Sequence, residues 1–174
     1  MHAGHGPDTP PRFFDLLRVL SEQEVEFVLI GGFAVALHGY VRATKDIDIV
    51  PAPTPQNLTR LWSALGALEA EPAELDEFRP EELPVEFSLD SLIEGGGNWA
   101  LYTRLGRLDV MQWVKGIESY DELRENAERV DEPAVGRPIW VAGRDDLISM
   151  KEAAGRDLDR IDVTALRMAQ GLEE

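Results

Sequence analysis

Residues 25–50 read VEFVLIGGFAVALHGYVRATKDIDIV. Val25 to Ile30 is a short run rich in β-formers that stops at Gly31-Gly32, the pattern of a buried strand meeting a tight turn. Phe33 to His38 then reads as a short helix with Ala34, Val35, Ala36 and Leu37 packed inward, and Gly39 suits its terminator. Asp46 to Val50 is a second strand with strict alternation. Asp46, Asp48 and Val50 face one way, and Ile47 and Ile49 face the other. Pro51 and Pro53 close it.

Outward from this stretch the pattern stays mixed. Phe13, Leu16, Leu17 and Leu20 recur at helical spacing behind Pro10-Pro11, which predicts a helix over 12–20. Thr54 suits the N-cap of a helix running to about Leu68, with Leu58, Leu61, Trp62 and Leu65 inward. Glu71 to Leu92 is acidic and punctuated by proline, so it is expected to be mostly irregular, with a short strand at Val85 to Leu89. Gly95-Gly96-Gly97-Asn98 reads as a turn. Trp99 to Arg104 and Arg107 to Val114 flank Leu105-Gly106 as a hairpin. In its second arm Leu108, Val110 and Gln112 share one face, and Arg107, Asp109 and Met111 share the other. A helix over Tyr120 to Val130, a strand at Pro138 to Val141 and helices over Asp145–Ala154 and Asp157–Gln170 complete the chain. The expected fold is α/β (α+β), a small mixed sheet flanked by helices. Residues 1–11, polar and rich in proline and glycine, read as a disordered leader, and 12–174 as one domain.

Composition narrows the chemistry. The chain has 174 residues and no cysteine, which rules out disulfides, zinc–thiolate sites and cysteine nucleophiles. No uninterrupted apolar stretch is long enough for a membrane span, and a cytoplasmic protein without membrane contact is expected. A net charge of −16 opposes non-specific binding to nucleic acid or anionic membrane. Ten carboxylates and a single arginine fall between Glu69 and Glu94, which reads as a solvated segment. Arg42, Lys45, Arg104, Arg107, Lys115 and Lys151 could still form a local basic rim.

The two aspartates carry the chemical argument. On one face of one strand they lie about 6 to 7 Å apart in Cα position. At that distance they repel unless a cation neutralises them, and magnesium takes oxygen ligands of this kind. Asp109, acidic within an otherwise apolar arm, could add a third carboxylate, or it could pair with Arg104 or Arg107 at a sheet edge. Gly31-Gly32 could let backbone N–H groups approach a phosphate, or could form a tight β–α turn without a ligand. No GxxxxGK(S/T) loop is present. A phosphate cradle with three carboxylates suits two-metal phosphoryl or nucleotidyl transfer.

Ile30-Gly31-Gly32, thirteen intervening residues and Asp46-Ile47-Asp48-Ile49 resemble the hG(G/S)…DhDh signature of the DNA polymerase β-type nucleotidyltransferase superfamily. Arg42-Ala43-Thr44-Lys45-Asp46-Ile47-Asp48 is similar to the abortive-infection toxin type and its bacterial relatives. The run from Lys151 through Arg156 and Asp159 to Asp162 is similar to those relatives too. The resemblance covers most of Val25 to Leu166. It implies two Mg²⁺ ions held by Asp46, Asp48 and Asp109, with Asp109 helping to activate an acceptor hydroxyl. It implies a triphosphate cradled by Gly31 and Gly32, a catalytic Lys151 near the phosphates, and further nucleotide contacts from Arg42 and Thr44. Many members carry serine where Gly32 stands, so phosphate binding there would fall to backbone N–H groups.

The implied activity is Mg²⁺-dependent transfer of a nucleoside monophosphate from an NTP to a hydroxyl. The acceptor is an RNA or tRNA end, a protein or a small molecule, and a toxin–antitoxin pairing is implied at the level of resemblance alone. The alternative is a catalytically silent nucleotide-binding or antitoxin-like module of the same fold. Among the remaining residues, Arg156, Asp159 and Asp162 read as an ion-pair row on a helix surface. Lys151 has surface pairing with Asp145 or Asp146 as its competing role. His38 reads as a packed histidine, and Trp62, Trp99, Trp113 and Trp140 as core or hairpin packing.

Overall fold

The computed structural model describes residues 12–73, 86–95 and 97–171. The leader over 1–11 and the acidic, proline-punctuated residues 74–85, including Val85, lie outside the described residues. In chain order the elements are α1 (Phe13–Glu22), β1 (Phe27–Ile30), α2 (Gly31–Leu37), β2 (Asp46–Pro51), α3 (Pro55–Ala67), β3 (Glu71–Pro72) and α4 (Leu89–Gly95). Then follow β4 (Asn98–Thr103), β5 (Gly106–Met111), α5 (Tyr120–Glu125), β6 (Glu128–Asp131), β7 (Pro138–Val141), α6 (Arg144–Ala154) and α7 (Asp157–Gly171). Among the described residues no helix is long and apolar enough to cross a membrane.

The seven strands form one mixed sheet in the order β3-β4-β5-β2-β1-β7-β6. β1 pairs antiparallel with β2 and parallel with β7, while β2 pairs parallel with β5. Every residue of β1 is buried, as expected of a central strand covered on both faces. In β2 the alternation in the sequence is realised: Ile47 and Ile49 are fully buried, and Asp46 and Asp48 are partly exposed. β5 follows the same rule, with Leu108 and Val110 in the core and Arg107, Asp109 and Met111 on the open face. Val28, Leu29, Ile47, Ile49 and Leu108 join Leu16, Leu20, Leu58 and Leu61 in one core. Transfer of each such side chain from water contributes roughly 1.5–3 kcal/mol.

Local chemistry explains most boundaries. Gly39, at φ +95°, ends the short helix as expected. The Thr54 hydroxyl accepts the Asn57 N–H at 3.3 Å and caps α3. The Asn57 side chain, buried, donates to the carbonyls of Glu26 and Ala52 and accepts from the Glu26 N–H, tying α3 to the ends of β1 and β2. The hairpin turns over Arg104-Leu105, with Thr103 opposite Gly106.

Two expected elements differ. The strand at Val85–Leu89 is not formed by its described residues. Leu89 opens α4, because Ser88 and Ser91 cap each other's backbone N–H groups at 2.9 and 3.1 Å. The helix over Tyr120–Val130 stops at Glu125, and Glu128–Asp131 instead pairs antiparallel with β7, with Val130 opposite Ile139. Leu123, Ala127 and Val130 keep a helical spacing, but pairing with β7 takes the residues from Glu128 on into the sheet edge.

Candidate functional site

The open face of β2 and β5 collects the carboxylates. In the parallel register Asp48 lies beside Asp109 and Asp46 beside Arg107, so all four side chains emerge on one side of the sheet. Asp48 also touches the glycine turn. Gly31 has φ +74°, and a Cβ there would overlap the Asp48 carboxylate. That position therefore excludes a side chain on two counts, backbone conformation and space. The turn and the second aspartate thus form one place, although residues 33–47 separate them in the chain.

The second glycine is also explained. A Cβ on Gly32 would stand 2.8 Å from the Arg42 guanidinium and 3.1 Å from the Thr44 hydroxyl. The space beside Gly32 is thus filled by an arginine and a threonine. Thr44 Oγ1 donates to the Asp46 carbonyl at 3.2 Å. Arg42 reaches across to α7, where its Nε and Nη2 donate to the Asp162 carboxylate at 2.8 and 2.9 Å.

Lys151 is buried, so its competing role as a surface lysine does not hold. Its Nζ donates to Asp159 at 3.1 Å and lies 2.9 Å from Asp162. Asp159 also accepts from Arg156 Nε at 2.8 Å. The expected ion-pair row on a helix surface is therefore corrected. Asp159 and Asp162 are among the most buried residues of the chain, while Arg156 stays exposed. They face inward because two cations from other elements meet them there. Burial alone would raise both carboxyl pKa values, yet hydrogen bonds from Arg156 and Lys151 to Asp159, and from Arg42 and Lys151 to Asp162, hold them below the ordinary carboxylate value.

The carboxylates of the sheet behave oppositely. Burial, then repulsion from Asp46 and Asp109, pushes Asp48 up to about 7. Burial also raises Asp109, against the opposing pull of Arg107. Arg107 Nε sits 3.0 Å from Asp109 and 4.0 Å from Asp46, so one guanidinium lies between two carboxylates. Both alternatives read from the sequence for Asp109 meet here: it pairs with Arg107 and stands beside Asp48. Among the described residues no three carboxylates or imidazoles are drawn into a ready-made metal cage. The donor set nevertheless fits a hard divalent cation. Its ligands are all oxygen, three carboxylates share one open face, and burial together with their mutual repulsion raises the Asp48 carboxyl to about 7, a strain that a bound cation would relieve. The guanidinium of Arg107, itself part exposed, is the group such an ion would displace.

Gly31, Gly32, Arg42, Thr44, Asp46, Asp48, Asp109 and Lys151 all line one cavity of about 780 Å³. Trp113 lines it too and is 63% exposed, so the expected hairpin packing does not hold for this tryptophan. Trp62 and Trp99 do pack, on either side of Phe87, and Trp140 lies under the Arg124 guanidinium. His38 is packed as expected, with Nε2 2.9 Å from the Ala142 carbonyl.

A family model described as "Nucleotidyltransferase of unknown function (DUF6036)" matches residues 13–173. No curated protein matches the chain in sequence. Among solved structures, the lincosamide antibiotic adenylyltransferase LnuA, lincomycin-bound, superposes with a TM-score of 0.59 at 15% identity, covering 90% of this chain and 94% of its own. ANT(2″)-Ia in complex with adenylyl-2″-tobramycin superposes with a TM-score of 0.55 at 14% identity, covering 92% and 88%. At these identities the likeness shows a shared fold. That fold is the expected small mixed sheet flanked by helices.

Proposed function

The chain belongs to this nucleotidyltransferase family, and from that premise we propose that it moves a nucleoside monophosphate from an NTP to a hydroxyl acceptor in a Mg²⁺-dependent reaction. The observation that carries the proposal is the convergence of Asp46, Asp48 and Asp109 beside the Gly31-Gly32 turn, in one cavity with Lys151 and Arg42. The catalytic unit is the single domain 12–174, acting in the cytoplasm.

Each residue has a task that follows from its place. Gly31 and Gly32 leave room for phosphate oxygens against the backbone, and Arg42, Thr44 and Lys151 offer donors on the same wall. The pyrophosphate leaves on this side. Asp46, Asp48 and Asp109 would hold two Mg²⁺ ions, which when bound neutralise the phosphates and the developing charge. The acceptor oxygen bonds to the α-phosphorus, the bond from that phosphorus to the bridging oxygen breaks, and pyrophosphate leaves with the electron pair. The hydroxyl proton passes to a carboxylate oxygen of Asp109, the member of the trio on the neighbouring strand β5. Catalysis rests on positioning and charge neutralisation, without a covalent enzyme intermediate.

Small-molecule acceptors gain support from the fold neighbours, one bound to lincomycin and one to adenylyl-2″-tobramycin. An RNA end, a protein side chain and a toxin–antitoxin partnership remain outcomes for experiment. One observation favours the silent, nucleotide-binding reading: Arg107 already bridges Asp46 and Asp109. Incubation of the protein with each α-labelled NTP, Mg²⁺ and total cell extract separates the two. Transfer of label to a macromolecule or small molecule supports the enzyme. Nucleotide binding without any transfer supports the silent module.

A further inference from the structure

We propose that Trp113 is the stacking platform of the acceptor site, and that the acceptor is a small molecule carrying its hydroxyl on or beside a ring. This inference rests on the nucleotidyl-transfer reading and adds to it the place and chemical class of the acceptor.

Single exposed apolar residues are ordinary on any protein surface. Trp113 differs in three respects. It lines the same cavity as the three aspartates, although 63% of its surface is open. It follows directly on the strand that carries Asp109, two residues past the end of β5. Its backbone is clamped: Asn98 Nδ2 donates to the Trp113 carbonyl at 2.9 Å, and the Trp113 N–H donates to Asn98 Oδ1 at 3.1 Å. Asn98 lies opposite Met111 across the hairpin, so it belongs to the face of the sheet that bears Asp109. A two-point clamp on its backbone fixes the point from which the open indole projects into the cavity, which lowers the cost of ordering this segment on binding.

The order of the site across the sheet gives Trp113 its role. The glycine turn opens α2 after β1, Asp46 and Asp48 stand on β2, Asp109 on β5, and Asn98 on β4. In-line displacement requires the entering oxygen on the side of the phosphorus opposite the leaving group. With the pyrophosphate held at Gly31, Gly32, Arg42 and Lys151, the entering hydroxyl comes from the β5 side, where Trp113 stands. An indole face binds flat rings by stacking and the C–H faces of saturated rings by dispersion. A serine or threonine side chain offers no such face, and a net charge of −16 opposes a long polyanion.

The test uses the full chain with Mg²⁺, labelled ATP and a panel of hydroxyl acceptors. Lincomycin, tobramycin and free nucleosides form the ring-bearing arm. Serine- and threonine-containing peptides and an oligoribonucleotide with a free 3′ hydroxyl form the rival arms. Expected results are label on a ring-bearing compound, an acceptor KM raised tenfold or more by Trp113→Ala, and recovery of most of it by Trp113→Phe. The Kd for Mg·ATP and the melting temperature should stay unchanged in both variants. An unchanged acceptor KM in Trp113→Ala overturns the proposal, as does label confined to peptide or oligonucleotide, or no label on any ring-bearing compound. A wild-type protein that fails to bind Mg·ATP instead removes the nucleotidyl-transfer reading beneath it.

Discussion

Two groups of aspartates border the same cavity and are treated oppositely by the fold. On the sheet, Asp46, Asp48 and Asp109 crowd together around one part-exposed arginine, and Asp48 is driven up to about 7. Beneath α7, Asp159 and Asp162 are buried more deeply, yet each meets two cations and both are held low. Burial raises every one of these carboxyls, and the rise is overturned only where enough donors meet the carboxylate, as at Asp159 and Asp162. The α7 pair is committed to structure, holding Arg42 and Lys151 at the cavity wall. The sheet trio meets one arginine with three carboxylates, and it is there that the proposed cation would bind.

The comparison breaks most visibly at Asp162. Its replacement by alanine strands Arg42 and Lys151 beside a hole, and loss of one partner from a buried charge network costs about 3 to 5 kcal/mol. Urea unfolding should show a lowered midpoint at an unchanged slope, equivalent to a stability loss of that size. An Asp162→Ala protein as stable as wild type would mean that the network is not structural.

A smaller effect appears in the pH dependence of the metal-free protein. A carboxyl whose pKa is raised on folding binds its proton more tightly in the folded state, so stability falls as pH rises from about 4 to 7 through Asp48. Asp159 and Asp162, with lowered values, act in the opposite sense: their contribution is present above the ordinary value of 3.8 and lost as pH falls below it. Asp48→Asn should flatten the loss between pH 4 and 7 and leave the acid limb in place, read from melting temperatures in chelator. An unaltered neutral limb would contradict the assignment to Asp48.

The smallest effect is at Arg107, the cation already between Asp46 and Asp109. Arg107→Gln removes a competitor for the ion, so Mg²⁺ affinity should rise several-fold, roughly 1 kcal/mol. Titration calorimetry of the metal alone reads this directly, and weaker binding in the variant would assign Arg107 a supporting role at the phosphates instead.

How much of this was legible in the sequence depended on the range of the interactions. The strand, turn, short helix and second strand from Val25 to Val50 were readable because period, glycine and proline act within a few residues. The alternation that exposes Asp46 and Asp48 while burying Ile47 and Ile49 belongs to the same class. The pairing of Arg42 with Asp162, 120 positions apart, has no local signature. A helix bearing Arg156, Asp159 and Asp162 at three-residue steps looks the same whether solvent or another element supplies the partners. Trp113 was misassigned for a related reason. An aromatic residue just past a strand packs or protrudes according to what the neighbouring strand offers, and here Asn98 grips its backbone and leaves the ring open. The helix expected over Tyr120–Val130 stopped short because the pairing of Glu128–Asp131 with β7 outweighed weak local helical preference.

The central claim, that the carboxylates of β2 and β5 form a metal-dependent nucleotide site, is tested most directly by calorimetric titration of Mg·ATP into wild-type protein and Asp48→Ala. Wild type should bind, with binding lost in chelator and weakened at least a hundredfold in the variant. Equal binding by the two proteins, or wild-type binding that is indifferent to Mg²⁺, would contradict it.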